Sequence, residues 1–559
     1  QTDPIVRSEL SRLRAKLKDY YEGEGRDDSV IVDLPKRSYS LLFQLREAPA
    51  MAPAKPARSW LAARRVALAT SMISVLGLAG GGDVVRARAR ASLEQRLSGN
   101  LTSLAVLPFV NLSGGPESEY FCDGLTEEII NWLAEIEGLR VVSRTSTFQF
   151  KGSHEDLRTI AARLRVSLVL EGGVRRFGDR WRITTRLVDA TDGYQLGSHV
   201  YDRGLHEIPD VQQEIARHVA STLRIPRVGG HSQMASERFT SSAEAYRYYL
   251  EGRYHANNGG ELDLKKSIRC YERATAADPN YAPAHASLAN AYMSLALQFE
   301  VPPREIMQRA KQAAQTAVKT GRSFPDAHSA LGSIFALYDW DWEAAGKEFN
   351  RALELDPSDS AIREAYAMRY LVPQGRLNSA LFEMQLAQSL DPFSPGITLS
   401  LGKVHHFKRD PDRAIETFQR VLQLDSSFEA APPALAKAYF QKSLLDQALN
   451  TLKSASAPVE DEARLSVLGH LYALSGHPDR AREALDQLRE MSRQRYVSGY
   501  FFALIHLGLG EKAEALDCLE KAAAERSPLI VYLKVNPIFD SLRSEPRFAT
   551  LLKRSGLGG

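Results

Sequence analysis

Small residues recur every 33 or 34 positions in the second half of the chain, and a bulky apolar residue follows each of them four positions later. The small residues are Ala380, Ala414, Ala448, Ala481 and Ala515, and the bulky ones are Met384, Phe418, Leu452, Leu485 and Leu519. Residues four apart lie on one face of an α-helix, so the pattern predicts a repeated helix with one apolar face.

A second small position lies twelve residues upstream, at Gly402, Ala436, Gly469 and Ala503. Such a position is expected where two helices approach too closely for a large side chain, so each repeat is predicted to contain a helix pair. The pairs Asp278-Pro279, Asp356-Pro357 and Asp391-Pro392 are predicted to end second helices. Proline cannot continue a helix, and it also restricts the residue before it.

This period and its small positions resemble the tetratricopeptide repeat, whose two-helix units bury their apolar faces by stacking. About eight helical pairs are predicted over residues 243–525, with capping helices over residues 526–559. The resemblance implies an all-α solenoid with a long concave surface, and the predicted partner of that surface is a protein or peptide ligand.

The first residues of the chain predict an amphipathic helix from Ile5 to Tyr21, with an apolar stripe on one face and a basic stripe on another. Two strand-like runs follow, Val30 to Leu34 and Tyr39 to Phe43, joined by a basic turn. The net charge of the chain is +3, and residues 1–65 hold 13 Lys/Arg against 9 Asp/Glu. The basic excess is therefore N-terminal.

The stretches VRSELSRLRAKL and VIVDLPKRSYSLLF resemble the last helix and the wing of OmpR-type winged-helix domains, and residues 1–46 are interpreted as a partial winged-helix segment. The resemblance implies DNA as a partner and a homodimer on DNA. The candidate DNA contacts are Arg7, Ser11, Arg14 and Lys18, with Arg12 and Lys16 as flanking phosphate partners and Lys36 and Arg37 on the wing. Arg37 stands where this turn usually has glycine. The alternative is a solvated helix face that binds no DNA.

A run of 17 uncharged residues, 66–82, follows a Pro-rich linker over residues 47–65 and precedes a basic linker over residues 83–100. A length of about 17 residues is the lower limit for a spanning helix. The run predicts a single-pass protein of the bacterial inner membrane with a cytoplasmic N-terminus. The alternative is a cytoplasmic protein in which the run is a linker helix on the repeats. The chain starts at Gln1 without an initiator methionine, so further residues upstream are expected.

Residues 101–225 alternate between strand-like and helical patterns, which predicts an α/β domain with two helices on one sheet. The stretch LAVLPFVNLSGGPESEYFCDGLTEEIINWLAEIEGLRVVSRTSTFQFKG resembles the TolB N-terminal-like domain of bacterial signalling proteins. In such proteins this domain joins an output module to tetratricopeptide repeats. A further linker is predicted over residues 226–242.

Candidate catalytic chemistry is sparse. Asp123, Glu127 and Glu128 are interpreted as carboxylates at a helix start, where the helix dipole favours them. Cys122 is interpreted as a packed helix residue. Nucleotide-binding, hydrolase, kinase and HExxH motifs are missing from the sequence, so we predict no enzyme, no cofactor and no metal.

The sequence thus predicts a multidomain bacterial regulator that couples ligand binding by the solenoid to DNA binding by the N-terminal segment. The competing hypothesis is an interaction scaffold, in the membrane or the cytoplasm, that binds no DNA. A third hypothesis, prompted by the TolB resemblance, is an accessory of envelope transport.

Overall fold

The computed structural model describes residues 30–33, 42–45, 102–134, 136, 138–204, 207–225, 240–298, 301–454 and 461–558. The chain divides into two compact units, Gln1–Val84 and Val85–Gly559. In the first unit, β1 (Val30–Asp33) pairs antiparallel with β2 (Leu42–Leu45), and Val30 lies opposite Leu45. The second predicted strand, Tyr39 to Phe43, overlaps β2 at residues 42 and 43, and its first three residues lie outside the described ranges. All eight candidate DNA contacts lie outside the described residues.

The predicted localisation as a single-pass inner-membrane protein is corrected. Within the ranges that the structure describes, no helix is both long enough and apolar enough to cross a membrane. The run 66–82, on which the prediction depended, lies outside those ranges.

The second unit begins with an α/β domain built on one mixed sheet, in the strand order β5-β3-β6-β7-β8, with β4 also paired to β6. Its elements are β3 (Thr102–Val106), β4 (Val110–Asn111), α1 (Pro116–Ala134), β5 (Leu139–Val141), α2 (Arg144–Phe148), α3 (Leu157–Leu164), β6 (Leu168–Phe177), β7 (Arg180–Asp189), β8 (Gln195–Gly204) and α4 (Ile208–Thr222). Strands β3, β5 and β6 are parallel, whereas β6, β7 and β8 are antiparallel.

Helices cover both faces of this sheet. Leu104 and Leu170 share a core with α1 and α4, while Ala105 packs against Ile160 of α3 on the opposite face. A parallel strand buried on both faces is a continuous apolar run, and β3 has that sequence. The predicted strand from Ser103 to Asn111 is instead split into β3 and β4.

Eight antiparallel helix pairs follow the α/β domain, and we number them pairs 1 to 8. They are α5 (Ala243–Asn258) and α6 (Glu261–Ala277), α7 (Ala282–Gln298) and α8 (Pro303–Thr320), α9 (Pro325–Ile334) and α10 (Trp342–Leu355), α11 (Ser360–Ala365) and α12 (Leu377–Leu390), α13 (Pro395–Phe407) and α14 (Pro411–Leu424), α15 (Ala431–Gln441) and α16 (Leu445–Ser454), α17 (Glu462–Leu474) and α18 (Pro478–Gln494), and α19 (Gly499–Gly508) and α20 (Lys512–Ala524). Helices α9 and α11 are continued by π-helical turns, Phe335–Asp339 and Tyr366–Leu371.

The small positions predicted from the repeat pattern lie where the helices of a pair meet. A Cβ atom added at Gly402 would lie 2.5 Å from the ring of Phe418 in the same pair. One added at Gly469 would lie 3.1 Å from Ala484 in its own pair and 2.7 Å from Ile505 in the next pair. First helices of successive pairs contact one another, so they line the inner, concave side of the solenoid. The tetratricopeptide prediction is confirmed for the repeats.

The chain after pair 8 forms two 3₁₀ turns, Pro528–Tyr532 and Pro537–Leu542, and α21 (Pro546–Arg554). We call residues 528–557 the C-terminal segment. This segment does more than cap the last pair, because it also contacts pairs far from the end of the solenoid. Trp342 of pair 3 donates a hydrogen bond from Nε1 to the carbonyl oxygen of Ser555 at 2.8 Å.

Candidate protein-binding groove

Helix α1 attaches the α/β domain to pair 1 of the solenoid through buried ion pairs. Arg253, on the first helix of pair 1, forms ion pairs with both Glu127 and Glu128 of α1. Glu127 also pairs with Arg144 of α2 at 3.3 Å. The side chains of Arg253, Glu127 and Glu128 are no more than 15% exposed, so water screens these contacts little.

The charge state of Arg253 is fixed by this arrangement. Burial is the largest single influence and acts to lower the pKa of Arg253, but Glu127, Tyr249 and Glu128 together outweigh it, and the pKa stands well above its ordinary value. Burial lowers the pKa of Arg144, and Glu127 opposes that shift. Two arginines and two glutamates therefore form one compact cluster between the α/β domain and the solenoid.

The interpretation of Asp123, Glu127 and Glu128 as carboxylates at a helix start is wrong. Helix α1 begins at Pro116, so these residues lie in its second to fourth turns. Asp123 pairs with Lys151 at 2.7 Å within the α/β domain, whereas the two glutamates face the solenoid. Cys122 is buried in the same helix, and burial raises the pKa of its thiol.

Apolar packing continues across the same boundary. One hydrophobic cluster includes Phe121 and Ile129 of α1 together with Tyr249 of pair 1 and Tyr281 of pair 2. Gly124 permits the close approach of α1, because a Cβ atom added there would lie 2.7 Å from Leu250. The α/β domain and pairs 1 and 2 of the solenoid thus share one continuous hydrophobic core.

A second contact attaches the α/β domain to the start of pair 5. Ser146 of α2 donates a hydrogen bond from Oγ to Oδ1 of Asp391 at 2.7 Å, and both groups are buried. Gln149 donates from Nε2 to the carbonyl oxygen of Phe393 at 3.1 Å. Burial raises the pKa of Asp391, although hydrogen bonds from Ser143 and Ser146 act against this shift. The α/β domain therefore spans the rim of the solenoid from pair 1 to pair 5.

A cavity of about 1000 Å³ lies between these two contacts. Its solenoid wall includes the N-terminal parts of the first helices of pairs 2 to 5, with Ser287, Asp326, Asp359 and Ser400, and also Arg253 of pair 1. Its other wall includes Glu127 and Arg144 of the α/β domain. Any group bound in this cavity would contact both domains at once.

The opposite ends of the same first helices are covered by the C-terminal segment. The ring of Tyr532 stacks on Phe407 with centroids 6.0 Å apart, and Asp540 pairs with Arg409 at 2.7 Å. We use the name groove for the strip of concave surface between the α/β domain and the C-terminal segment. The groove is narrower than the fully open concave surface expected from the repeats.

The turn Asp339-Trp340-Asp341-Trp342 lies beside this segment. Trp340 packs against two hydrophobic clusters, and the guanidinium of Arg526 lies 3.9 Å from its ring centroid. Asp341 caps α10 by accepting a hydrogen bond from the backbone NH of Ala344 at 3.0 Å. The tryptophans therefore join pair 3 to the end of the chain.

The fold and groove define a two-domain unit, an α/β domain attached to a tetratricopeptide solenoid. Residues 100–218 match the family "HilA/YgeH-like transcriptional regulator, second domain", and residues 399–428 match the tetratricopeptide repeat family. The TolB and winged-helix resemblances and the homodimer stay predictions.

Two curated relatives and one solved structure illustrate the similarity. "Putative adenylate cyclase 3" of Rhizobium meliloti is 37% identical over 230 residues, covering 41% of this chain and 39% of that protein. "Transcriptional regulator HilA" of Salmonella typhimurium is 24% identical over 294 residues, covering 52% of this chain and 51% of that protein. The structure of Pseudomonas aeruginosa pilF is 20% identical, covers 39% of this chain and 93% of that chain, and has a TM-score of 0.30.

The matches span about half or less of the curated relatives' own length. The predicted absence of enzymatic activity is corrected, because a relative at 37% identity is named as an adenylate cyclase. The regulator prediction is supported at the level of a HilA-like domain joined to tetratricopeptide repeats, as a regulator or an interaction scaffold.

Proposed function

We propose that this protein is a transcriptional regulator in which a protein or peptide bound in the groove controls DNA binding by the N-terminal segment. The observation that carries the proposal is the attachment of the α/β domain across the rim of the solenoid. Because the ion pairs of Arg253 and the Ser146–Asp391 hydrogen bond hold the two domains together, an occupant of the cavity acts on both.

Two further features support a DNA-binding output. The basic excess of the chain is N-terminal, and the described strands β1 and β2 form the antiparallel pair that a wing requires. The HilA relative is named as a transcriptional regulator. The proposed contacts are the eight residues of the N-terminal stripe and wing given above, with Arg14 and Lys18 at its centre.

The direct test is a salt titration of duplex DNA binding by the full chain. Wild-type protein is expected to bind more weakly as salt rises, because displaced counterions dominate the free energy of such binding. The variant Arg14→Ala/Lys18→Ala is expected to bind at least tenfold more weakly, with a shallower salt dependence. Fluorescence anisotropy of a labelled duplex measures both effects.

The matched control is Lys55→Ala/Arg58→Ala, which removes the same charge from the linker and is expected to change the affinity less than twofold. Absence of wild-type binding at low salt would contradict the proposal and favour an interaction scaffold. An equal loss in both double variants would show a nonspecific charge effect and would also contradict the assigned contacts.

A second candidate function follows from the relative named as an adenylate cyclase, namely adenylate cyclase activity of this chain. Its test is the formation of cyclic AMP from ATP and Mg²⁺ by the full chain, measured by chromatography. Accumulation above a heat-denatured control supports this candidate, and equal amounts in both samples contradict it for this chain.

A further inference from the structure

One position of the first helices carries a row of cations along the groove. Arg369, Lys403 and Lys437 are spaced by 34 residues, in pairs 4, 5 and 6, and His470 occupies the same position in pair 7 after 33 more residues. Equal spacing in a repeat places side chains at equivalent points on successive helices. The row therefore runs across the helices, along the groove.

The members of the row differ in whether they have partners. Arg369 donates a hydrogen bond from Nη1 to Oγ of Ser333 at 3.0 Å, on the preceding pair. Lys403 and Lys437 form neither a hydrogen bond nor an ion pair with any part of the chain that the structure describes. Cations in a partly buried position without a direct ion pair are costly, because little water and only distant carboxylates offset the desolvation of the charge.

Two buried polar atoms beside Lys437 are also unsatisfied among the described residues. His470 is 4% exposed, and its Nδ1 lies 2.7 Å from the carbonyl oxygen of Leu504, but its Nε2 has no partner. Oε1 of Gln441 has no partner either. A carbonyl oxygen only accepts, so Nδ1 of His470 donates, and its Nε2 and Oε1 of Gln441 are both acceptors that the described chain leaves unsatisfied. A donor such as a backbone NH of a bound peptide, and not a carboxylate, would satisfy them.

The charges of the row oppose one another. Burial lowers the pKa of Lys437 to about 8, and the nearby charge of Lys403 contributes to this shift, opposed by Asp461. Burial also lowers the pKa of Lys403, and Glu364 opposes that shift. An anion placed between the two lysines would relieve this repulsion.

The row lies between the two surfaces that border the groove. On one side, Ser400 donates a hydrogen bond to Glu364 at 2.7 Å, and both residues line the interdomain cavity. On the other side, Phe407 stacks on Tyr532 of the C-terminal segment. A ligand on Lys403 and Lys437 can therefore extend directly into the cavity.

We propose that Lys403 and Lys437 bind two carboxylates of an acidic peptide segment of a partner protein. This inference rests on the proposed function and specifies the class of ligand in the groove. Neighbouring helices lie about 8–10 Å apart. Residues three apart in a polyproline II peptide share one face and lie about 9 Å apart, so acidic residues at every third position fit the row.

A protein partner fits this groove better than a nucleic acid. Glu364 stands next to Lys403, and residues 101–559 contain slightly more Asp and Glu than Lys and Arg. The carboxylate of Glu364 beside Lys403 disfavours a continuous polyanion at this point, whereas a short peptide can place single carboxylates on the two lysines.

The test uses the full chain and fluorescein-labelled peptides of about twelve residues, one with Glu at every third position and one with Gln in its place. Wild-type protein is expected to bind the Glu peptide at least tenfold more tightly than the Gln peptide. Lys403→Ala/Lys437→Ala is expected to lose at least tenfold in affinity for the Glu peptide. Anisotropy measures both, and a labelled single-stranded oligonucleotide is titrated in parallel.

The matched control is Lys265→Ala/Lys347→Ala, which removes two exposed lysines of second helices that pair with Glu261 and Glu343. Its affinity for the Glu peptide is expected to stay within twofold of wild type. A charge-reversal variant, Lys403→Glu/Lys437→Glu, is expected to prefer a Lys peptide, which a merely unfolded protein would not do.

Equal affinity for the Glu and Gln peptides would overturn the proposal, as would unchanged Glu-peptide affinity in Lys403→Ala/Lys437→Ala. The proposal would also be overturned if the oligonucleotide bound more tightly than the Glu peptide and lost that affinity in Lys403→Ala/Lys437→Ala. DNA binding that depends on Arg14 and Lys18 is measured separately, so it can persist when the peptide result is negative. In that case the ligand class is wrong and the regulatory proposal stands.

Discussion

Replacing Arg253 with methionine is expected to lower the free energy of unfolding by about 3–5 kcal/mol, because two carboxylates then lose their shared cation inside the protein. Glu127 would keep its ion pair with Arg144 and the hydrogen bond from Asn257, and Glu128 would lose the ion pair that it forms with Arg253. Urea denaturation followed by circular dichroism measures the change.

Two companion variants separate charge from packing in this experiment. Arg351→Met removes one partner of an exposed ion pair with Glu354 and is expected to cost less than about 1 kcal/mol. Adding Glu128→Gln to Arg253→Met is expected to recover part of the loss, because the carboxylate that pairs only with Arg253 is then removed while Glu127 keeps its ion pair with Arg144. A change below 1 kcal/mol in Arg253→Met alone would show that the cluster does not hold the domains together.

The sequence predicted the helical repeats far better than this cluster. The 34-residue spacing identifies Gly402 and Phe418 because both constraints are local, one within a helix and one between adjacent helices. Arg253 and Glu128 are 125 residues apart, and no spacing in either helix indicates that they meet. From the neighbouring sequence alone, the glutamates of α1 resemble carboxylates at a helix start. Their role becomes clear only from their tertiary contact with Arg253.

Strand β8 shows a different limit. Its residues Gln195–Gly204 are mixed in polarity because it is an edge strand, with Leu196 and Val200 exposed and Tyr201 buried. Edge strands are often polar, which weakens the alternation that predicts a strand.

The role of Lys403 and Lys437 could not be predicted from the sequence either, although their 34-residue spacing is visible there. Lysines on a helix are ordinarily solvated, and only the absence of partners in the groove distinguishes these two.

Replacing Phe418 with alanine is expected to lower the free energy of unfolding by about 3–5 kcal/mol, since a fully buried aromatic ring leaves a cavity. Phe418 is 1% exposed and lies on the second helix of pair 5. Its ring occupies the space that a side chain at Gly402 would need. The two positions therefore form one packing unit, and their variants should not be additive.

The substitution Gly402→Ala tests that coupling, because its effect on the free energy of unfolding is expected to change sign between the wild-type and Phe418→Ala backgrounds. In wild type, Gly402→Ala is expected to destabilise, because its Cβ atom would lie 2.5 Å from the Phe418 ring and overpack the pair by about 1–3 kcal/mol. In Phe418→Ala the ring is gone, so Gly402→Ala is expected to stabilise by up to about 1 kcal/mol through helix propensity. Gly396→Ala on the same helix has no contact closer than 3.8 Å and is expected to be neutral or stabilising in both backgrounds. Destabilisation by Gly402→Ala in both backgrounds would contradict the coupling, because the penalty would then not come from the ring.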